Sequence, residues 1–249
     1  MSSYDALAKR YDALTVDVLY QKRAEFLDRL LQKSRIPVKH ILDLGCGTGT
    51  MAYLLTERGY QVTAVDGSEE MLTQAMGKAA AEERPPLFLL QEMPRLQLLE
   101  PVDAAISTLD ALNYLTRVRD LQETVRRVYR WLKPGGEFLF DVNTPYKLRR
   151  MNEQIYMDET EESFCVWRTF FSEKQKVCTY QVDLFSQRPD GAWDREFEEH
   201  RERAWDEGEL RRCLEEAGFE QIRFSGDLRL SAPREDEDRW IVRARKPAE

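Results

Sequence analysis

Histidine is scarce. His40 and His200 are the only two in 249 residues. A histidine-based metal centre is thereby set aside, although carboxylates alone could still hold Mg²⁺. No metal site is expected. The four cysteines, Cys46, Cys165, Cys178 and Cys213, are scattered and form no C-x-x-C pair. Neither a disulfide framework nor a structural zinc site follows from them. No apolar run approaches the length of a membrane span. Residues Met1 to Arg10 lack the basic-then-apolar pattern of a secretory signal. The expectation is a cytoplasmic protein with no membrane partner.

Basic residues are also in deficit. Lys and Arg number 37 against 45 Asp and Glu, for a net charge of −8. A large nucleic-acid footprint needs a clustered basic face, so the balance weighs against such a partner. Arg117, Arg119, Arg126, Arg127, Arg130 and Lys133 do lie close in sequence, but they fall on an amphipathic helical stretch and read as a solvated face. Apolar residues, at 42%, are enough for a packed core.

The chain opens with a helical pattern, Ser2 to Lys33, in which Phe26, Leu27, Leu30 and Leu31 recur at helical spacing. Pro37 ends it. Short apolar runs then alternate with amphipathic stretches. The runs are His40–Leu44, Gln61–Val65, Leu87–Leu90, Val102–Ser107 and Glu137–Val142. The helical patterns are Thr50–Glu57, Glu69–Glu82 and Asp120–Leu132. Such alternation implies right-handed crossovers and a parallel sheet. After Pro145 the pattern changes. Ser163–Phe171, Val177–Phe185 and Trp193–Ala204 read as three antiparallel strands, the last two joined through the turn Pro189-Asp190-Gly191. A helix resumes at Asp206, where Asp206 and Glu209 fit a capping box, and Gly218 suits its end. Two strands follow, near Phe219–Ser225 and Arg239–Arg245. The organisation expected is a core over 1–145, a β insertion over 146–205, and 206–249 completing the core.

Asp43-Leu44-Gly45-Cys46-Gly47-Thr48-Gly49 follows the first strand and opens a helix. Glycines there let the backbone turn tightly and approach a ligand, and the helix start offers free N–H groups. Three further residues sharpen the reading. Asp66 ends the second strand, roughly 20 residues on, where a ribose-binding acid belongs in such folds. Asp43 would repel a pyrophosphate but suits a ligand carrying an ammonium and a sulfonium. Gln91-Glu92-Met93 follows the third strand, where an acid can accept from an adenine amino group. A dinucleotide fingerprint would need glycine at position 50, which is Thr50, so that register fails.

With these pieces, together with Val65-Asp66-Gly67-Ser68-Glu69-Glu70-Met71-Leu72 and Leu132-Lys133-Pro134-Gly135-Gly136, the sequence resembles the class I S-adenosylmethionine-dependent methyltransferases. Tyr4-Asp5, Tyr11-Asp12 and Asp110-Ala111-Leu112-Asn113-Tyr114-Leu115 point to a bacterial branch of that family. The resemblance implies an α/β, Rossmann-like, doubly wound fold. Its seven-stranded sheet is mostly parallel, with the last strand antiparallel, and here it carries a small antiparallel β subdomain. The resemblance also implies S-adenosylmethionine as cofactor and S-adenosylhomocysteine as product.

Roles follow residue by residue. Gly45, Cys46 and Gly47 would line the methionine part, with Asp43 facing it directly or through water and Tyr11 closing over it. Asp66 would take both ribose hydroxyls. Gly67 lies in the matching motif, and Ser68 and Met71 would flank ribose and adenine. Glu92 and Met93 would contact adenine, although many relatives have Asp where Glu92 stands. Thr108, Leu109 and Leu112 would lie beneath the cofactor. Tyr11 could equally anchor the N-terminal helix.

Asn143-Thr144-Pro145-Tyr146 resembles the Asn-Pro-Pro-Tyr motif of amino-group methyltransferases. That motif follows the fourth strand, whereas this one follows the fifth, so it reads as a strand-exit turn. No catalytic residue is assigned. Tyr114, Asp110, Asp141 and His200 are candidate bases without a diagnostic arrangement. The leading expectation is a small-molecule methyltransferase, monomeric or homodimeric. The alternatives are an RNA or protein methyltransferase and a catalytically silent cofactor-binding subunit. The insertion is expected to cap the acceptor site or to form a dimer element.

Overall fold

The computed structural model describes residue 8, residues 18–78 and residues 84–248. Tyr4, Tyr11 and most of the first helical pattern before Tyr20 lie outside these, as does the far end of the pattern expected over Glu69–Glu82.

Seven strands form one sheet: β1 (His40–Leu44), β2 (Gln61–Asp66), β3 (Leu87–Leu90), β4 (Val102–Ser107), β5 (Leu132–Asn143), β10 (Glu220–Gly226) and β11 (Arg239–Arg245). Their order is β10-β11-β5-β4-β1-β2-β3. The pairs β1–β2, β1–β4, β2–β3 and β4–β5 are parallel, and β11 runs antiparallel to both β5 and β10. The Rossmann-like expectation, including the antiparallel last strand, is therefore met.

The central strands are buried on both faces, which is why they read as near-continuous apolar runs. Side chains alternate between two cores with the period of two that a strand dictates. Phe138 and Phe140 join Leu121, Val125 and Val128 of α4 (Val118–Trp131) and Leu210 and Leu214 of α6 (Glu207–Ala217). Leu139 and Ile41 point the other way, toward Phe26 and Leu30 of α1 (Tyr20–Leu31) and Leu55 of α2 (Thr50–Glu57). Strand β5 begins five residues earlier than expected. The Pro134-Gly135-Gly136 stretch lies within it, at a bulge against β4, where Pro and Gly look like loop residues in the sequence.

A second, antiparallel sheet has the order β6-β7-β8-β9. Its strands are β6 (Gln154–Glu159), β7 (Ser163–Ser172), β8 (Val177–Gln187) and β9 (Trp193–Arg203). Three were expected. Strand β6 escaped because all six of its residues are exposed, so no apolar alternation marks it. Asn143–Tyr146 is also not a simple turn. Thr144 accepts a hydrogen bond from Lys147 N at 3.1 Å and caps α5 (Pro145–Arg150), with Pro145 in the first turn where its missing N–H costs nothing. The capping box at Asp206 and the Gly218 stop form as expected. Among the described residues, no helix is long and apolar enough to cross a membrane.

Candidate active site

Parallel strands deliver their carboxyl ends to one edge. Between β1 and β4 the chain winds away in opposite directions, and a crevice opens there. It holds a cavity of about 690 Å³, in the size range of small-ligand sites.

The Gly45–Gly49 turn forms one wall. Gly45 N and Cys46 N donate to Val65 O at 2.8 and 3.1 Å, which pins the turn to the end of β2. Gly45 and Gly47 adopt left-handed φ of 75° and 54°. A Cβ on Gly45 would meet Met93 Cε at 2.6 Å and Ala111 Cβ at 2.7 Å, whereas one on Gly47 would meet nothing within 4 Å. Close packing thus requires glycine at position 45, while Gly47 keeps the cavity open.

Asp66 ties two walls together. Its Oδ2 accepts from Gly47 N at 2.8 Å and its Oδ1 from Ser68 N at 2.9 Å. Burial raises its carboxyl pKa, against the lowering effect of those backbone donors. Ser68 Oγ accepts from Met71 N at 3.1 Å and so starts α3 (Glu69–Lys78).

Asp43 lies fully buried at the end of β1, and neither carboxylate oxygen has a hydrogen-bond partner. Burial first, and the charge of Asp66 second, push its carboxyl up to about 7. An orphaned acid at a ligand-binding edge is costly, and a cationic ligand group would relieve it. The Cys46 thiol is driven up by burial and by the same two acids, which disfavours its thiolate.

Eleven of the fourteen residues expected at the cofactor line this cavity: Gly45, Cys46, Gly47, Asp66, Gly67, Ser68, Met71, Glu92, Met93, Thr108 and Leu109. Asp43 sits behind the wall. Leu112 does not reach the cavity: it is fully buried in the core, and its carbonyl accepts from Trp205 Nε1 at 3.3 Å. Tyr11 lies outside the described residues. Glu92 contributes to the wall, but its largely exposed carboxylate lies 3.4 Å from Arg95.

Of the candidate bases, only Tyr114 lines the cavity. Asp110 and Asp141 are both occupied by Arg239, whose Nη2 donates to Asp110 Oδ1 at 2.6 Å and whose Nη1 donates to Asp141 Oδ1. His200 of β9 lies behind Tyr114, edge to face at 6.1 Å between ring centres, with Nε2 3.1 Å from Glu198 Oε2. Asn143 is buried and its amide is engaged, donating to Glu202 Oε2 at 2.7 Å and accepting from Lys147 Nζ at 2.9 Å. It is not a cavity-facing amino-methyltransferase asparagine.

Sequence reasoning missed several wall residues. Thr48 and Met51 flank the glycine turn and were within reach of it. Arg117, just before α4, and Asp120 and Glu123 within it border the cavity only through tertiary packing. Asn113 was also missed. Its Nδ2 donates to Asn143 O at 3.0 Å and Arg203 O at 2.9 Å, and its Oδ1 accepts from Asn143 N at 3.0 Å, so one buried amide joins the two sheets.

A glycine turn at the switch point, an acid ending β2 and an orphaned acid ending β1 define a Rossmann-like domain that binds a nucleoside-bearing cation. The comparisons agree. The family model described as "Methyltransferase domain" matches residues 41–136. A protein of Geobacillus sp. (strain WCH70), named "Putative methyltransferase", is 32% identical over 98% of this chain and 100% of its own length. The crystal structure of an S-adenosylmethionine-dependent methyltransferase from Clostridium acetobutylicum ATCC 824 has 26% identity and a TM-score of 0.88, covering 98% of this chain and 99% of its own. The sugar N-methyltransferase KedS8 from Streptoalloteichus sp ATCC 53650 shares the fold, with 21% identity and a TM-score of 0.79 over 99% and 97% of the two chains. The chain belongs to the class I S-adenosylmethionine-dependent methyltransferases, and S-adenosylmethionine is its methyl donor.

Proposed function

We propose that this enzyme methylates a small molecule and holds its donor in the cavity at the β1–β4 crevice. The observation that carries the placement is Asp43, a buried carboxylate with no hydrogen-bond partner, one residue short of a glycine turn whose Gly47 faces open space. In this reading Asp43 balances the cationic methionine end, and the backbone of Gly45, Cys46 and Gly47 lines it. Asp66 accepts from the ribose hydroxyls through lone pairs that Gly47 N and Ser68 N leave available. Gly67, Ser68, Met71, Glu92 and Met93 flank ribose and adenine, and Thr108 and Leu109 form the floor. S-adenosylmethionine supplies a methyl group on a sulfonium, already activated for in-line displacement by a nucleophile. The chain's tasks are to align the acceptor, exclude water and take up a proton. Arg239 removes Asp110 and Asp141 from the candidate proton acceptors, while Tyr114 Oη belongs to a wall residue.

Residues 146–205 serve as the acceptor cap on a core formed by 1–145 and 206–249. Two contacts support this. Asn113 binds Arg203 O, and His200 packs on Tyr114, so the second sheet rests against the cavity wall. A small acceptor is favoured by the net charge of −8 and by rim arginines that already have acidic partners, Arg95 with Glu92 and Arg117 with Asp120. The sugar substrate class in the name of KedS8 is consistent with it.

The test is transfer of labelled methyl from S-adenosylmethionine into an extract of the source organism, followed by separation of small molecules, protein and RNA. Label in the small-molecule fraction is expected. Label held in RNA or protein overturns the acceptor class.

A further inference from the structure

Thr108, Leu109 and Asp110 link β4 to the short 3₁₀ turn Ala111–Tyr114. Leu109 and Asp110 are consecutive, neither is glycine, and both are left-handed, with φ of 57° and 56°. Such a conformation is strained for a residue with a Cβ, so something outside the turn must hold it. That something is Asp141 on the neighbouring strand β5. Its Oδ2 accepts from Leu109 N at 2.9 Å and its Oδ1 from Asp110 N at 2.8 Å. Both carboxylate oxygens are therefore needed. Arg239, one strand further on β11, completes the arrangement by spanning Asp141 and the Asp110 side chain. The Arg239 side chain is 12% exposed, and those of Asp141 and Asp110 are 5% and 18% exposed. Burial alone would raise the Asp110 carboxyl, but the charge of Arg239 overrides it and holds the group below the usual range.

We propose that Arg239 is a positioning residue, which acts through Asp141 and Asp110 to fix the Leu109–Asp110 turn that floors the donor cavity. It does not line the cavity itself. The inference rests on the donor placement proposed above.

The same two strands offer a control. Arg243 on β11 pairs with the fully buried Glu137 on β5 at 2.7 and 2.8 Å, toward the opposite end of the sheet. Arg245 also pairs with Glu137, so Arg243→Met does not strand the acid. Neither Arg243 nor Glu137 lines the cavity.

The experiment is calorimetric titration of the full chain with S-adenosylhomocysteine, with thermal unfolding run in parallel. Arg239→Met is expected to weaken binding about tenfold or more at a temperature where it is folded. Arg243→Met is expected to lower the unfolding temperature and leave the dissociation constant within about twofold of wild type. Should Arg239→Met not fold, Asp141→Asn decides by the same numbers, since it keeps an Arg239–Asp110 pair and removes one acceptor from the turn. Wild-type affinity in the deciding variant overturns the inference, as does an equal loss in Arg243→Met, which would mark a general stability effect. Failure of wild type itself to bind overturns the donor placement, and the inference with it.

Discussion

The two sheets use buried polarity in opposite ways. In the seven-stranded sheet the buried interior is mostly apolar, and most of its buried acids are tied down. Asp66 takes two backbone donors, Asp141 takes two more and Arg239, and Glu137 takes two arginines. Among the buried acids of this sheet Asp43 alone is left without a hydrogen-bond partner, and it sits behind the cavity wall. In the four-stranded sheet one face of β9 carries Glu198, His200 and Glu202 in alternate positions, all buried. Burial first, then the charge of Asp110, push the Glu202 carboxyl up to about 8. One sheet leaves a single buried acid uncompensated behind the cavity wall. The other concentrates titratable groups where it meets the core, on the side assigned to the acceptor.

This contrast can be broken in a definite order. The largest effect is expected at Glu202. Its folded pKa lies above its unfolded value, so the native state keeps a proton that the unfolded chain releases between about pH 4.5 and 8. Wild-type stability should fall with rising pH across that window, by up to about 5 kcal/mol from this group. Glu202→Gln should flatten the fall. Urea unfolding at several pH values checks it, and parallel curves for the two proteins would contradict it.

Asp43→Asn should flatten the corresponding fall between about pH 4 and 7, by up to about 4 kcal/mol, and weaken S-adenosylhomocysteine binding. The difference between the sheets then becomes measurable. Saturating S-adenosylhomocysteine, whose ammonium favours ionised Asp43, should erase the Asp43 part of the slope and leave the Glu202 part. Erasure of both parts, or of neither, would remove the distinction drawn here.

The smaller effects separate packing from ligand space. Gly45→Ala should cost about 2–3 kcal/mol in stability, because its methyl runs into Met93 and Ala111. Gly47→Ala should cost only about 1 kcal/mol, the left-handed penalty alone, yet lose affinity out of proportion because its methyl enters the cavity. Equal losses of affinity per unit of lost stability would argue against a ligand at Gly47.

The glycine-turn side of the cavity was legible because its pattern is local. A glycine turn opening a helix, and acids ending consecutive parallel strands, fall at fixed spacings, and parallel pairing then brings them to one edge. Leu112 shows the limit of that logic. It stands in the right loop, but the 3₁₀ turn points it into the core beneath Trp205. The side where the second sheet meets the cavity wall was less legible. His200 and Tyr114 lie far apart in sequence, and only the pairing of β8 with β9 and the Asn113 brace bring them together. Asp110 and Asp141 looked like available bases because nothing local to either foretells Arg239, roughly 100 residues downstream. Strand β6, exposed on every residue, left no pattern to read.

The most direct test of the donor placement is calorimetric titration of S-adenosylhomocysteine into wild type and Asp66→Ala. In the proposed placement Asp66 would supply charge-assisted acceptors for two hydroxyls, and it braces Gly47, so its loss should cost roughly 3–5 kcal/mol of binding. Saturable micromolar binding by wild type, weakened at least about a hundredfold in the folded variant, is the expected result. Equal binding by the two proteins, or none by well-folded wild type, would contradict it.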